Sequence, residues 1–192
     1  NLFTKGVFIM THIPNTHGGG AKTNKNGLRF EQTTSLKDAL QYHNFILNPI
    51  SSNRKSIGYE VYNEQKLIGY SVPKHALYSC FLAPRGIDYR QYNSKQWLPD
   101  ECFINEITKT AFIIEKKFQS ESGSVDEKLP GCHFKKQEYE KLFSPLGYSV
   151  VFIYVFNDWF QHSMYRDTLQ YIANMECYYF FNEIPLDILQ LK

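Results

Sequence analysis

At 192 residues the chain is long enough to bury a core without disulfides or a structural metal. Apolar residues at 43% and charged residues at 21% exclude a disordered polymer, and a net charge of +2 excludes a basic field over the whole surface. Any contact with nucleic acid must therefore come from local clusters of charge.

Taken in chain order, residues 14–27 (PNTHGGGAKTNKNG) lack apolar periodicity and read as a loop. The spacing of Leu28, Phe30, Leu36, Ala39, Leu40, Phe45 and Leu47 predicts a helix over 26–46, interrupted near Thr33-Thr34 and ended by Pro49. SIGYEVYN and KLIGYSV flank Asn63-Glu64-Gln65 as a hairpin. Pro73 suits the first turn of a helix reaching Leu82, and the polar stretch 84–96, with Arg85, Arg90 and Lys95, reads as an exposed connection. LPDECFI and TAFIIEKKFQ are rich in β-branched and aromatic residues and read as two strands joined around 105–109. In the polar stretch 120–130, Ser124 and Glu127 have the spacing of a capping box. A helix over 135–143, a fully covered strand in YSVVFIYVFN, a helix over 161–175 and a strand in CYYFF complete the order. The expected class is α/β, a mixed central β-sheet flanked by helices. No repeat, low-complexity tract or linker divides it, so 1–192 reads as a single domain.

The segment that carries chemistry is Pro99-Asp100, fourteen residues, then Glu115-Lys116-Lys117. Hydrolysis of a phosphodiester needs an activated water and positive charge against the phosphorus and leaving oxygens. A hard divalent cation held by carboxylates supplies much of both. Alternation along a strand puts Glu115 and Lys117 on one face and turns Lys116 to the other, leaving its carbonyl as a further metal ligand. Asp100, at the start of the preceding strand, lies beside Glu115 in the hairpin, and Gln119 lies one step further along the same face. Charged groups ending a strand as apolar as AFII are costly unless paired or bound to metal.

PD-x14-ExK, extended by Gln119 to ExKxQ, resembles the PD-(D/E)xK nuclease superfamily. IIEKKFQSESGSVDEKL and GGGAKTNKNGLRFE further resemble type II restriction endonucleases. The resemblance implies a restriction-endonuclease-like core that cuts double-stranded DNA with Mg²⁺, as a homodimer whose two sites cut the two strands of a palindrome. It implies Asp100 and Glu115 as metal ligands, Lys117 as the group orienting water, and Glu31, on an N-terminal helix, as support for the metal site. Lys22, Lys25, Asn26, Arg54, Lys55 and Ser124 are candidate contacts to DNA; the GGGAK stretch reads equally as a plain flexible loop, and Ser52-Asn53-Arg54-Lys55 reads more readily as a solvated one.

Other readings stand beside these. Glu115 and Lys117 could be incidental charges on a solvated strand edge, and Asp100 could be a turn residue after Pro99, with Glu101 the true ligand. Glu31 could be an ordinary exposed helix residue and Gln119 a neutral surface one. GGGAK lacks the spacing and preceding strand of a P-loop, and the six histidines lack metal-nuclease spacing. A nuclease that reads DNA shape at junctions or damage is the alternative activity; a non-catalytic DNA-binding module of the same fold is the alternative class. Cys80, Cys102, Cys132 and Cys177 form neither a CxxC pair nor a zinc pattern, and read as free thiols of a reducing compartment. No apolar run has membrane-spanning length and no signal-peptide pattern opens the chain, so a cytoplasmic protein without a membrane partner is expected. The first residue is Asn1, which leaves room for residues upstream.

Overall fold

The computed structural model describes residues 27, 29–30, 34–50, 56–121, 123 and 125–191. They build a seven-stranded mixed sheet whose strands lie in sequence order: β1 (Ile46–Ile50), β2 (Gly58–Asn63), β3 (Lys66–Ser71), β4 (Glu101–Asn105), β5 (Thr110–Lys117), β6 (Ser149–Phe156) and β7 (Tyr178–Phe181). The first five strands form an antiparallel meander, and β6 and β7 then add in parallel. The parallel additions need crossovers, which the helices α2 (Cys132–Phe143) and α3 (Arg166–Asn174) provide. The architecture is α/β, a mixed sheet with flanking helices, as the sequence implied.

Alternation along the strands divides the core. Phe103, Phe112, Ile114, Ile153 and Val155 pack on one face with Leu36 and Leu40 of helix α1 (Leu36–Tyr42) and with Leu189. Cys102, Ile104, Ala111, Ile113, Phe152, Tyr154 and Phe156 pack on the other, against α2 and the π-helical turn Leu77–Leu82. β6 is paired on both sides and buried from Phe152 to Phe156, as its unbroken apolar run implied.

The expected helix over 26–46 is corrected. Ser35 caps α1 by accepting from the Asp38 N–H, and Asn44, in the left-handed region at φ 66°, stops it after Tyr42. The chain then enters the strand β1. Pro49 lies inside that strand, which tolerates a residue without an N–H because β1 is at the sheet edge. Lys74, at φ 50°, delays the helix expected after Pro73 until the chain reaches Leu77–Leu82. The helix expected over 161–175 is two short turns, Asp158–Gln161 and Ser163–Tyr165, and then α3, because His162 is extended. The Asn63 and Lys66 ends of the β2–β3 hairpin pair across a two-residue turn in which Glu64 takes φ 55°. All four cysteines are buried free thiols. Among the described residues no helix is long and apolar enough to cross a membrane.

Candidate active site

The β4–β5 hairpin sets the register of the chemistry. Glu101 pairs with Ile114, which brings Asp100, one residue before β4, beside Glu115. The Lys116 N–H donates to Asp100 Oδ2 at 2.8 Å and fastens that carboxylate to the end of β5. Side chains alternate as strand geometry requires. On the α2 face, Lys117 Nζ donates to Glu115 Oε2 at 2.9 Å and lies 3.9 Å from Asp100 Oδ2. On the α1 face, Lys116 Nζ pairs with Glu101 Oε1 at 2.8 Å, and that oxygen also accepts from the Leu36 N–H at 3.4 Å. Asp100, Glu115 and Lys117 therefore converge, while Glu101 is turned away from them.

Glu115 retains 8% side-chain exposure, so its charge must be offset locally. A second ammonium, Lys135 Nζ from the first turn of α2, donates to the same Oε2 at 3.1 Å. Sequence reasoning misses this residue. It starts the helix at 135, whereas α2 begins at Cys132 and so projects Lys135 onto β5. The signal present in the sequence is the four-residue spacing of Lys135 and Tyr139, which shares one helix face. Tyr139 is buried, and its phenol has no hydrogen-bond partner among the described residues. Burial holds that phenol well above its usual pKa, and the nearby Glu115 charge adds to the effect. Tyr154, paired with Glu115 across the parallel ladder, is also raised by burial and donates to the Leu129 carbonyl at 3.3 Å.

Gln119 lies two residues past the end of β5 and is buried. The Asn157 amide holds its backbone from both sides: the Gln119 N–H donates to Oδ1 at 3.0 Å and its carbonyl accepts from Nδ2 at 2.8 Å. A single side chain thus continues the β5–β6 pairing past Lys117. The Gln119 side-chain amide has no hydrogen-bond partner among the described residues. Glu31, Lys22, Lys25, Asn26, Arg54, Lys55 and Ser124 lie outside the described residues.

A mixed sheet presenting two carboxylates and a lysine from adjacent strand ends defines the nuclease core of the PD-(D/E)xK type. The sequence profile of a PD-(D/E)XK nuclease superfamily domain matches residues 22–142, and the chain belongs to that superfamily. No curated protein and no solved structure matches it.

Proposed function

We propose that this chain is a Mg²⁺-dependent endodeoxyribonuclease that cuts double-stranded DNA at a short sequence, as a type II restriction endonuclease within a restriction–modification pair. In this reading residues 1–192 are one nuclease domain working as a homodimer in the cytoplasm. Four buried free thiols suit that reducing compartment. The observation that carries the reading is the convergence of Asp100, Glu115 and Lys117 at the end of the hairpin, with Glu115 almost wholly buried against two ammoniums.

The donor set fits Mg²⁺. Two carboxylates and the Lys116 carbonyl are hard oxygen donors, and Mg²⁺ takes one or two carboxylates while keeping several waters. The hydrogen bonds to the carboxylates fall on Asp100 Oδ2 and Glu115 Oε2, which leaves Oδ1 and Oε1 for a cation. When bound, the ion supplies Lewis-acid charge to the phosphate and lowers the pKa of a water. Lys117 holds a compact positive charge between the two carboxylates, where it can orient water and offset charge growing on the phosphate. Lys135 fixes the Glu115 carboxylate from the helix side. Gln119 supports the end of the strand, and Glu31 is assigned to support the metal.

Incubation of supercoiled plasmid with protein and Mg²⁺ tests this. Discrete fragments support restriction. A smear or ladder favours a less specific nuclease, and no cleavage at any protein concentration refutes the catalytic reading.

A further inference from the structure

Beside the carboxylates lies an aromatic patch that hydrolysis itself does not use. Phe134, in the first turn of α2, is 53% exposed, and Leu98, two residues before Asp100, is 39% exposed. The Phe134 ring meets Trp97 edge-on, with centroids 5.8 Å apart and planes at 78°. Lys95 Nζ sits 3.9 Å over the Trp97 ring, and Lys135 Nζ lies 5.9 Å from it. That second ammonium is the one bonded to Glu115, so the aromatic pair begins one side chain away from the proposed catalytic carboxylate.

Trp97 is held rigidly. Its Nε1–H donates to Glu138 Oε2 at 3.2 Å. Its backbone N–H donates to the Tyr78 hydroxyl at 3.0 Å, and that hydroxyl donates to the Trp97 carbonyl at 2.7 Å. An exposed phenyl ring therefore meets a fixed indole edge-on, with Lys95 over the indole ring. Lys135 already bonds to Glu115, and a neutral apolar partner would offer no charge to Lys95. A nucleotide offers a flat π-face for the Phe134 ring and a phosphate for Lys95.

We propose that Phe134, braced edge-on by Trp97, stacks one unpaired base of the strand whose phosphate reaches Asp100 and Glu115, with Lys95 against an adjoining phosphate. The inference rests on the nuclease reading and narrows its substrate. In a paired duplex both faces of a base are covered by its neighbours, so the platform gains nothing from it. The base is one extruded from the duplex on binding, next to the cut, and a duplex that already carries an unpaired base spares the cost of extrusion.

The test is binding in EDTA, which separates it from cleavage. Anisotropy of a fluorescent oligonucleotide duplex is compared with that of the same duplex carrying a single unpaired base. The wild-type protein is expected to bind the bulged probe more tightly. Phe134→Ala is expected to weaken that binding roughly 5- to 100-fold, the scale of one lost base–aromatic stack, with the loss confined to the bulged probe. Phe134→Tyr, which keeps a ring, is expected to retain the preference. Phe134 is exposed, so neither variant threatens the fold. Equal binding of both probes, or an equal loss on both in Phe134→Ala, overturns the stacking proposal and leaves the nuclease reading intact. Binding of neither probe overturns the nucleic-acid reading, and the inference falls with it.

Discussion

Adjacent lysines on β5 should fail in opposite ways, because the strand sends them to opposite faces of the sheet. Lys116 pairs with Glu101, and the two side chains retain 11% and 12% exposure. In Lys116→Ala, Glu101 keeps, among the described residues, only the long Leu36 N–H contact. Breaking a buried pair from one side costs roughly 3–5 kcal/mol, and residual solvent access favours the low end, about 3 kcal/mol. At roughly 2–4 °C per kcal/mol for a chain of this size, Tm should fall by roughly 6–12 °C. Its backbone carbonyl is unchanged, so cleavage below the transition should stay near the wild-type rate. Lys117→Ala leaves Glu115 with Lys135 at 3.1 Å, so the fold should survive. The charge between the carboxylates is lost, and the rate should drop by roughly 10²–10³. Lys117→Arg should recover little, because a planar fork delivers its donors in other directions than a compact ammonium does. The assay is single-turnover cleavage at saturating Mg²⁺, with thermal unfolding of each variant monitored by circular dichroism. A Lys116→Ala protein that is inactive yet thermally unchanged, beside an active Lys117→Ala, would refute the assignment of the two lysines.

Asp100→Ala and Glu115→Ala should each abolish cleavage while DNA affinity in Ca²⁺ persists or rises, because phosphate contacts elsewhere dominate binding; wild-type cutting by Asp100→Ala would point to the wrong ligand. Asn105 is fully buried; it accepts from the Ile107 and Thr108 N–H groups at 2.9 Å and donates to the Leu189 and Gln190 carbonyls at 2.9 Å. Asn105→Leu should lower stability by about 2–4 kcal/mol by orphaning these groups, measurable by urea unfolding. At Gly69 a Cβ would meet the Ile104 carbonyl oxygen at 2.1 Å, so Gly69→Ala should displace β3 from β4 and yield insoluble or strongly destabilised protein. A hydrogen bond from Lys141, reinforced by Trp97, holds the Glu138 carboxyl below its usual pKa. This stabilisation is present above the unfolded value of roughly 4.3 and fades as pH falls through the folded value. Glu138→Gln should therefore flatten the acid limb of a Tm–pH profile, and an unchanged limb would remove Glu138 from the account of acid stability.

What the sequence determined by itself is local. A period of two in TAFIIEKK assigned Glu115 and Lys117 to one face and Lys116 to the other, and the unbroken apolar run of YSVVFIYVF marked β6 as covered on both faces. The Asn63–Lys66 hairpin was equally legible, since turn chemistry acts over neighbouring residues. Local pattern states which face a side chain takes, but not which element arrives on that face. Only packing in three dimensions brought Lys135 of α2 onto Glu115, set the Leu36 N–H of α1 against Glu101, and placed Phe134 on Trp97. The edge position of β1 was decided the same way. Pro49 reads as a helix stop from its neighbours alone and becomes acceptable in a strand once no partner requires its missing N–H. The roles of Asn105 and Asn157 were hidden for the same reason: their hydrogen bonds close onto backbone 84, 85 and 38 residues away, and no sequence period spans such a distance.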